Sequence, residues 1–282
     1  MSRVAARPMT DADVSQAALV SAAAFGVDIS ERRQRDSWEQ RMRHPLITDP
    51  AGAFVTEAAG VVIGVSQTIL RDGVWILSLL AVSPSVSRGG DGRALVDAAL
   101  SYGSRTQDGL IVSSNDPRAM RLYASSGFRL QPTFRAAGPV DGSRIPERDP
   151  RITVVGADGL EALAPISRAV RGAAHTPDFG VVLARGATIF ALEDRGWVAA
   201  LPGRGVWALA ALDDRAATAL LWCALDHLRD EPEVVVGFLT ADQRWALDVL
   251  LEARIPFCAY GALAVRGNPG PLRPYIPSPP FS

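Results

Sequence analysis

An apolar run followed by a glycine-rich turn and an amphipathic helix is the feature that most restricts the fold of this chain. Residues 76–82 are almost continuously apolar, which is typical of a buried strand. The turn that follows contains Gly89, Gly90 and Gly92, and from Leu95 apolar residues recur at helical spacing. Uncovered backbone amides at the start of a helix, together with the positive end of the helix dipole, attract a phosphate. The stretch therefore predicts an anion site that suits a diphosphate.

The composition excludes several classes of protein. The chain has 282 residues, 48% of them apolar and 21% charged, which favours two globular domains of ordinary size. A formal net charge of −1 predicts no binding to nucleic acid and none to an anionic membrane. All 29 cationic side chains are arginine, because the sequence contains no lysine. This excludes a Walker-type phosphate loop, a pyridoxal Schiff base and a lysine nucleophile.

The sequence also predicts neither a metal centre nor a membrane span. Cys223 and Cys258 are far apart in the chain, and the three histidines are scattered, so no zinc-binding spacing is present. No run approaches the ~20 apolar residues that a membrane-spanning helix needs, and the amino terminus lacks the long apolar core of a signal peptide. We therefore expect a cytoplasmic protein.

The first half of the chain predicts a mixed arrangement of helices and strands. Strands are expected at 2–7, 53–58, 61–70, 74–82, 109–113 and 129–136. A first helix is expected to end at Phe25, and a second to run from Glu31 to about Arg43, where His44-Pro45 stops it. A third helix is expected from the glycine turn to Thr106. A fourth is expected to begin at an Asn115 cap and to end at Gly127. The three central strands form an antiparallel meander that leads into the glycine turn.

Two motifs in this half resemble the GNAT superfamily of N-acetyltransferases. The first has an apolar residue, a proline and a Gly-x-Gly turn before a helix, and is formed by Val82, Pro84, Gly90, Gly92 and Leu95. The second has the form Asn-x-x-Ala-x-x-Leu-Tyr-x-x-x-Gly-Phe, and is formed by Asn115, Ala119, Leu122, Tyr123, Gly127 and Phe128. Both motifs occur in the expected order and on the expected elements.

The resemblance implies acetyl-CoA as co-substrate, no metal, and transfer of the acetyl group to an amine of a small molecule or peptide-like acceptor. In this family the loop amides hold the pyrophosphate and the preceding strand pairs with the pantetheine arm. The residues implied in cofactor binding are Leu80, Ala81, Val82, Ser87, Arg88, Gly89, Gly90, Asp91, Gly92, Arg93, Asn115 and Tyr123. Tyr123 matches the family's general acid, which protonates the departing CoA thiolate. For the oligomeric state, a monomer and a homodimer are both consistent with the sequence.

Two residues of the turn depart from the family pattern. Ser87 stands where the family usually has arginine or glutamine, so a cationic partner for the pyrophosphate would have to come from Arg88 or Arg93. Asp91 adds an acid to the loop, where it either caps the helix toward solvent or repels a phosphate.

The general base is a further departure. The strand over 75–82 contains no carboxylate, whereas many members of the family have a glutamate there, and this chain offers Ser78 instead. Glu57, Asp28 and Glu31 are alternative bases. Because this carboxylate is missing, a second hypothesis is a non-catalytic protein with the same fold that binds acyl-CoA or senses a ligand.

The second half repeats the order of elements without the motifs. Residues 139–150 predict a linker, 151–267 a degenerate second GNAT-like domain, and 268–282 an extended proline-rich tail that either straps a domain or is loose. The predicted fold class is therefore α/β of the α+β type, with two GNAT-like domains that each contain a mixed, mostly antiparallel sheet flanked by helices. The first domain spans 1–138.

Overall fold

The chain divides into two compact units, each described by itself below. The computed structural model describes residues 5–86 and 90–282. One unit extends as far as Ile111 and includes Phe281, and the other comprises Val112–Pro280 and Ser282. This division follows contacts between residues, whereas the boundaries expected from the sequence follow the order of motifs. Those domain boundaries stay predictions.

The first unit is a twisted sheet with helices. Its helices are α1 (Val14–Phe25), α2 (Arg32–Thr48) and α3 (Asp91–Tyr102), and its strands are β1 (Arg7–Pro8), β2 (Ala53–Ala58), β3 (Val61–Arg71), β4 (Val74–Val82) and β5 (Gly109–Ser113), the last of which begins in this unit. The strands lie in the order β1-β2-β3-β4-β5. Neighbours are antiparallel except β4 and β5, which are parallel. Apolar residues of α1 pack against β2, β3 and β4 to form the core.

Two helix ends in this unit differ from the sequence prediction. Helix α2 continues through Pro45 to Thr48, because Pro45 and Met42 are buried and this packing outweighs the loss of one backbone hydrogen bond. Helix α3 ends at Tyr102 rather than Thr106. A Cβ on the next residue, Gly103, would lie only 2.0 Å from the ring of Trp75, so the chain turns there around the indole.

The second unit contains two antiparallel sheets. Its helices are α4 (Pro117–Ser125), α5 (Ala164–Arg171), α6 (Thr176–Leu183), α7 (Asp214–His227) and α8 (Arg244–Glu252), and its strands are β6 (Arg129–Gly138), β7 (Ile152–Val154), β8 (Thr188–Leu192), β9 (Gly196–Leu201), β10 (Gly205–Ala211), β11 (Val234–Thr240), β12 (Phe257–Arg266) and β13 (Tyr275–Ile276). The sheets have the strand orders β12-β6-β11 and β13-β10-β9-β8-β7. Helices α7 and α8 pack on a common core. The mixed, mostly antiparallel α/β class predicted from the sequence is confirmed.

Three features of this unit were not expected in detail. The first helical region of this unit is a 3₁₀ segment over Ala157–Leu163 followed by α5, and α6 was not predicted. The tail is strapped rather than loose, because β13 pairs with β10 and both of its residues are buried. Within the described residues, no helix is long and apolar enough to cross a membrane.

Candidate functional site

A β-bulge in β4 shapes the strand that leads into the glycine turn. In the pairing with β3, Gln67 is opposite Leu79 and Thr68 is opposite Leu77, so Ser78 is the extra residue. A bulge bends its strand and increases the local twist. On the other edge of β4, Trp75 pairs with Gly109 and Ile76 pairs with Leu110 of β5. In the described chain, the two parallel strands therefore part just before the bulge.

The end of β4 presents the predicted pantetheine-binding residues. Ala81 is buried, while Leu80 and Val82 are half-buried. All three pair with β3 on one edge. Beyond Ile76, no strand of the described residues pairs with the second edge of β4. A strand edge without a partner is the kind of surface to which an extended ligand can add.

The start of α3 has the backbone that an anion site requires. Gly90 precedes the helix with φ +86°, a left-handed conformation that favours glycine. Among the described residues, no atom would lie within 4 Å of a Cβ at this position. Arg93 pairs with Asp97 at 3.0 Å across one turn of the helix. The predicted contacts of Ser87, Arg88 and Gly89 lie outside the described residues. The amino terminus of a helix can bind an anion through its free backbone N–H groups.

One of the two interpretations of Asp91, a helix cap that faces solvent, does not agree with the structure. Asp91 is 3% exposed, and its Oδ1 atom has no hydrogen-bond partner within the described chain. The carboxylate lies in the first turn of α3, where the helix dipole stabilises a negative charge.

The second motif lies in the other compact unit, on and before α4. Asp116, rather than Asn115, is the N-cap of α4, and its side chain accepts a hydrogen bond from the backbone N–H of Arg118 at 2.9 Å. The Asn115 side chain instead accepts one from the backbone N–H of Gly261 in β12, at 2.6 Å. The sequence predicted Asn115 as the cap because either Asn115 or Asp116 can precede a helix that begins at Pro117. The actual partner of Asn115 could not be predicted, because Gly261 is 146 residues away in sequence.

Tyr123 is a buried phenol on α4. The residue is 5% exposed, and no hydrogen bond from its hydroxyl to another described residue is present. Burial is the main cause that raises the pKa of Tyr123 well above its ordinary value, and the charge of Asp116 adds to it. The group is therefore a neutral donor over the physiological pH range, as a general acid must be before it transfers its proton.

The carboxylates suggested as bases are less suitable than the sequence implied. Glu57 is paired with Arg7, which also binds Asp13, and the hydrogen bond from Arg7 lowers the pKa of Glu57. Hydrogen bonds from Ser30 lower the pKa of Asp28. Glu31 is exposed at the start of α2. A lowered pKa makes a carboxylate a weaker proton acceptor, so these contacts favour none of them.

Sequence reasoning missed an aromatic pair beside Asn115. Phe238 in β11 has φ +59°, and its ring lies 5.7 Å from the ring of Tyr260 in an edge-to-face arrangement. Tyr260 precedes Gly261, the residue that binds Asn115. A non-glycine residue with positive φ is strained and such residues cluster at functional sites. The isolated glycine within the strand pattern of β12 was the available signal.

The predicted residues thus fall into two groups. The β4 edge and the start of α3 belong to the first unit, and Asn115 and Tyr123 belong to the second. Among the described residues, no group of three or more His, Cys, Asp or Glu side chains is placed to hold a metal ion.

A family model described as an acetyltransferase (GNAT) domain matches residues 10–138. This range contains both motifs, the bulged β4 and the start of α3. Residues 10–138, somewhat less than half of the chain, therefore form a GNAT-like domain. This match supports acyl transfer as the general type of reaction. A search of curated proteins finds no significant match.

Solved structures show that the GNAT resemblance extends to the fold of the whole chain. A candidate acetyltransferase from Pyrococcus horikoshii superposes with a TM-score of 0.79 at 15% identity, over 99% of this chain and 95% of that one. A GCN5-related N-acetyltransferase from Sphaerobacter thermophilus gives 0.59 at 16% identity, over 96% and 98%. A tandem GNAT protein from the clavulanic acid biosynthesis pathway gives 0.59 at 14% identity, over 93% and 98%. The chain has the fold of a tandem GNAT protein.

Proposed function

We propose that the protein is an acetyl-CoA-dependent N-acyltransferase that acetylates a primary amine of a small-molecule or peptide-like acceptor. The observation that carries this proposal is the geometry of β4 and α3 within the GNAT domain. The strand has an available edge after Ile76, and it leads to a helix that begins behind the left-handed Gly90. We further propose a cytoplasmic monomer or homodimer.

The proposed reaction is direct attack of the amine on a thioester. The co-substrate supplies an activated acetyl group whose carbonyl oxygen, and then sulfur, gains negative charge. Backbone N–H groups at the start of α3 hold the pyrophosphate, and the edge of β4 aligns the thioester arm. The Tyr123 phenol gives its proton to the departing thiolate. The family motif supports this role, and the raised pKa of Tyr123 means only that the phenol is protonated at physiological pH.

Cofactor binding is tested with two glycine variants of the same unit. Gly60, in the hairpin between β2 and β3, also has positive φ and open space around its Cα. Each change to alanine should destabilise the fold by about 1–2 kcal/mol because of backbone strain. Titration calorimetry should show acetyl-CoA affinity about tenfold weaker in Gly90→Ala and unchanged in Gly60→Ala. Absence of binding to the wild-type protein at high micromolar acetyl-CoA would refute the proposal.

Tyr123→Phe tests the general acid. With an amine that the wild-type protein acetylates, turnover should fall by about a hundredfold while the affinity for acetyl-CoA changes little, because only proton donation is lost. Since the pKa of Tyr123 is raised, its deprotonation should not reduce wild-type turnover at any pH below about 10. Equal turnover in Tyr123→Phe would remove the role of Tyr123 and leave the cofactor site intact.

A non-catalytic acyl-CoA-binding protein is the second candidate. The observation in its favour is that β4 has no acid, and that Glu57, one of the suggested bases, is engaged by Arg7. Binding of acetyl-CoA with no acetylation across a broad panel of primary amines would favour this candidate over the enzyme.

A further inference from the structure

A cleft of about 1090 Å³ lies in the second unit, between α7, α8 and residues 145–151. Facing sides of the two helices form its walls, with Asp214, Thr218 and Trp222 at four-residue spacing on α7, and Trp245 and Val249 on α8. Its volume matches that of pockets for small organic ligands. None of the acyltransferase motif residues lines it, so it is separate from the cofactor site proposed above.

The floor of the cleft is aromatic. Trp222 and Trp245 are each 7% exposed, and Cys223 beside them is 3% exposed. The indole N–H of Trp245 donates to Gln243 at 2.8 Å, which fixes that ring. No hydrogen bond from the indole N–H of Trp222 to another described residue is present. Burial raises the pKa of the Cys223 thiol to about 11, so the floor carries no negative charge of its own.

The rim of the cleft is charged, with an excess of acids. Six carboxylates and four arginines line it. Two arginines are held by lining acids: Arg244 by Asp248 and Arg151 by Asp149, both at 2.7 Å. The guanidinium carbon of Arg148 lies 4.9 Å from the centre of the Phe190 ring. Arg148 lines the cleft, whereas Phe190 does not.

Three exposed lining acids have no ion pair among the described residues, and these are Glu147, Asp214 and Glu252. Against these three acids stand two lining arginines that have no acid partner among the described residues, Arg148 and Arg215. A surplus of carboxylates above two tryptophan rings complements a positively charged ligand, because ring faces and carboxylates both attract a cation.

We propose that this cleft binds a small organic cation with a flat apolar body, of the arylalkylammonium class. The body packs on Trp222 and Trp245, and the cationic group lies toward the acids of the rim. Benzyltrimethylammonium is a suitable probe, because its quaternary nitrogen cannot be acetylated. Phenylacetate has a similar body and the opposite charge.

The test compares two doubly substituted proteins by titration calorimetry. Asp214→Asn with Glu252→Gln removes two rim charges, and Asp158→Asn with Glu161→Gln removes two exposed charges outside the cleft. The wild-type protein should bind benzyltrimethylammonium with a Kd below about 1 mM. The rim variant should bind at least about fivefold more weakly, more so at low salt, and the control variant should bind like wild type.

Nuclear magnetic resonance locates the ligand independently of charge. One of the indole N–H signals of the six tryptophans should shift on titration, and it should be the signal that is absent in Trp222→Phe. Absence of saturable binding, equal binding of phenylacetate, or an unchanged Kd in the rim variant would each overturn the proposal.

Discussion

Asp49 connects three elements of the first unit through one buried carboxylate. It accepts hydrogen bonds from the Arg71 guanidinium at 2.8 Å, from the Tyr102 hydroxyl at 2.9 Å and from the backbone N–H of Leu70 at 2.8 Å. Asp49 is 4% exposed and Arg71 is 6% exposed. A buried carboxylate is tolerated only when its oxygens are bonded in this way. The carboxylate therefore joins the end of α2 to β3 and α3.

Removal of this carboxylate should be costly. Asp49→Ala should lower the free energy of unfolding by about 3–5 kcal/mol, because a buried guanidinium loses its acid. Tyr102→Phe removes one hydrogen bond and should cost about 1 kcal/mol. The exposed Asp11–Arg43 pair in the same unit is the control, and Asp11→Ala should cost less than about 1 kcal/mol. Urea denaturation measures all three, and similar losses for Asp49→Ala and Asp11→Ala would contradict the expectation.

At the scale of elements, irregular strands place the residues of the second motif. The pairing of β12 with β6 shifts between Ala259 and Ala262, and that of β11 with β6 shifts between Val236 and Leu239. Gly261 lies at the first of these shifts with φ +67°, and it donates to Asn115. The bulges turn these strands so that backbone from β12 meets the loop before α4.

A side chain at Gly261 should disrupt this arrangement. A Cβ there would lie 2.1 Å from the carbonyl oxygen of Ser113, and the positive φ adds strain. Gly261→Ala should therefore cost about 2–4 kcal/mol of stability in urea denaturation. Gly237→Ala in the neighbouring β11 is the matched control, since its Cβ would meet no atom within 4 Å. Comparable stability of the two variants would show that the backbone adapts without cost.

At the scale of the whole molecule, buried titratable groups determine how stability varies with pH. His175 is fully buried among aromatic rings, with its Nε2 atom 3.3 Å from the Tyr275 hydroxyl. Desolvation, and then the charge of Arg171, lower the pKa of His175 well below its ordinary value. In the unfolded chain the imidazole takes up a proton near pH 6.5, whereas the folded chain resists it. Stability therefore falls as the pH drops below that value.

The acid loss of stability should be smaller in a variant without this imidazole. Between pH 7 and pH 5, the free energy of unfolding should decrease less in His175→Gln than in the wild-type protein, although the variant is less stable at pH 7. Urea denaturation at several pH values gives the comparison. Parallel profiles would show that His175 does not contribute to the acid limb.

The alkaline limb should begin late because the chain has no lysine. Burial raises the pKa values of Tyr102 and Tyr275 to about 12, and a hydrogen bond to Asp49 adds to the shift for Tyr102. Unfolded tyrosines lose their protons near pH 10, so their stabilisation is complete below pH 10 and is lost as the pH rises toward 12. Denaturation at pH 9, 10 and 11 should show a plateau and then a decline. The decline should be less steep in Tyr102→Phe.

Local sequence signals predicted most elements of the fold. The strands of the first half follow from apolar periodicity, and the start of α3 follows from its glycines. These signals are local because side-chain spacing and φ preferences act within a few residues. The stop predicted at Pro45 was wrong because burial of that proline in the core decided the helix end. Helix α6 and strand β13 were missed because tertiary packing and pairing determine such short segments.

The sequence by itself determined the two motifs and the GNAT resemblance of residues 10–138, since these depend on residue type and order. Only the tertiary structure decided the partners of those residues. It joins Asn115 to Gly261 across 146 positions, buries Asp91, and brings α7 and α8 together around a cleft. Contacts between distant segments depend on how whole elements pack, and no periodicity within one segment encodes its partner. The glycine turn was visible in the sequence, and the diverging edge of β4 before it was visible only in the fold.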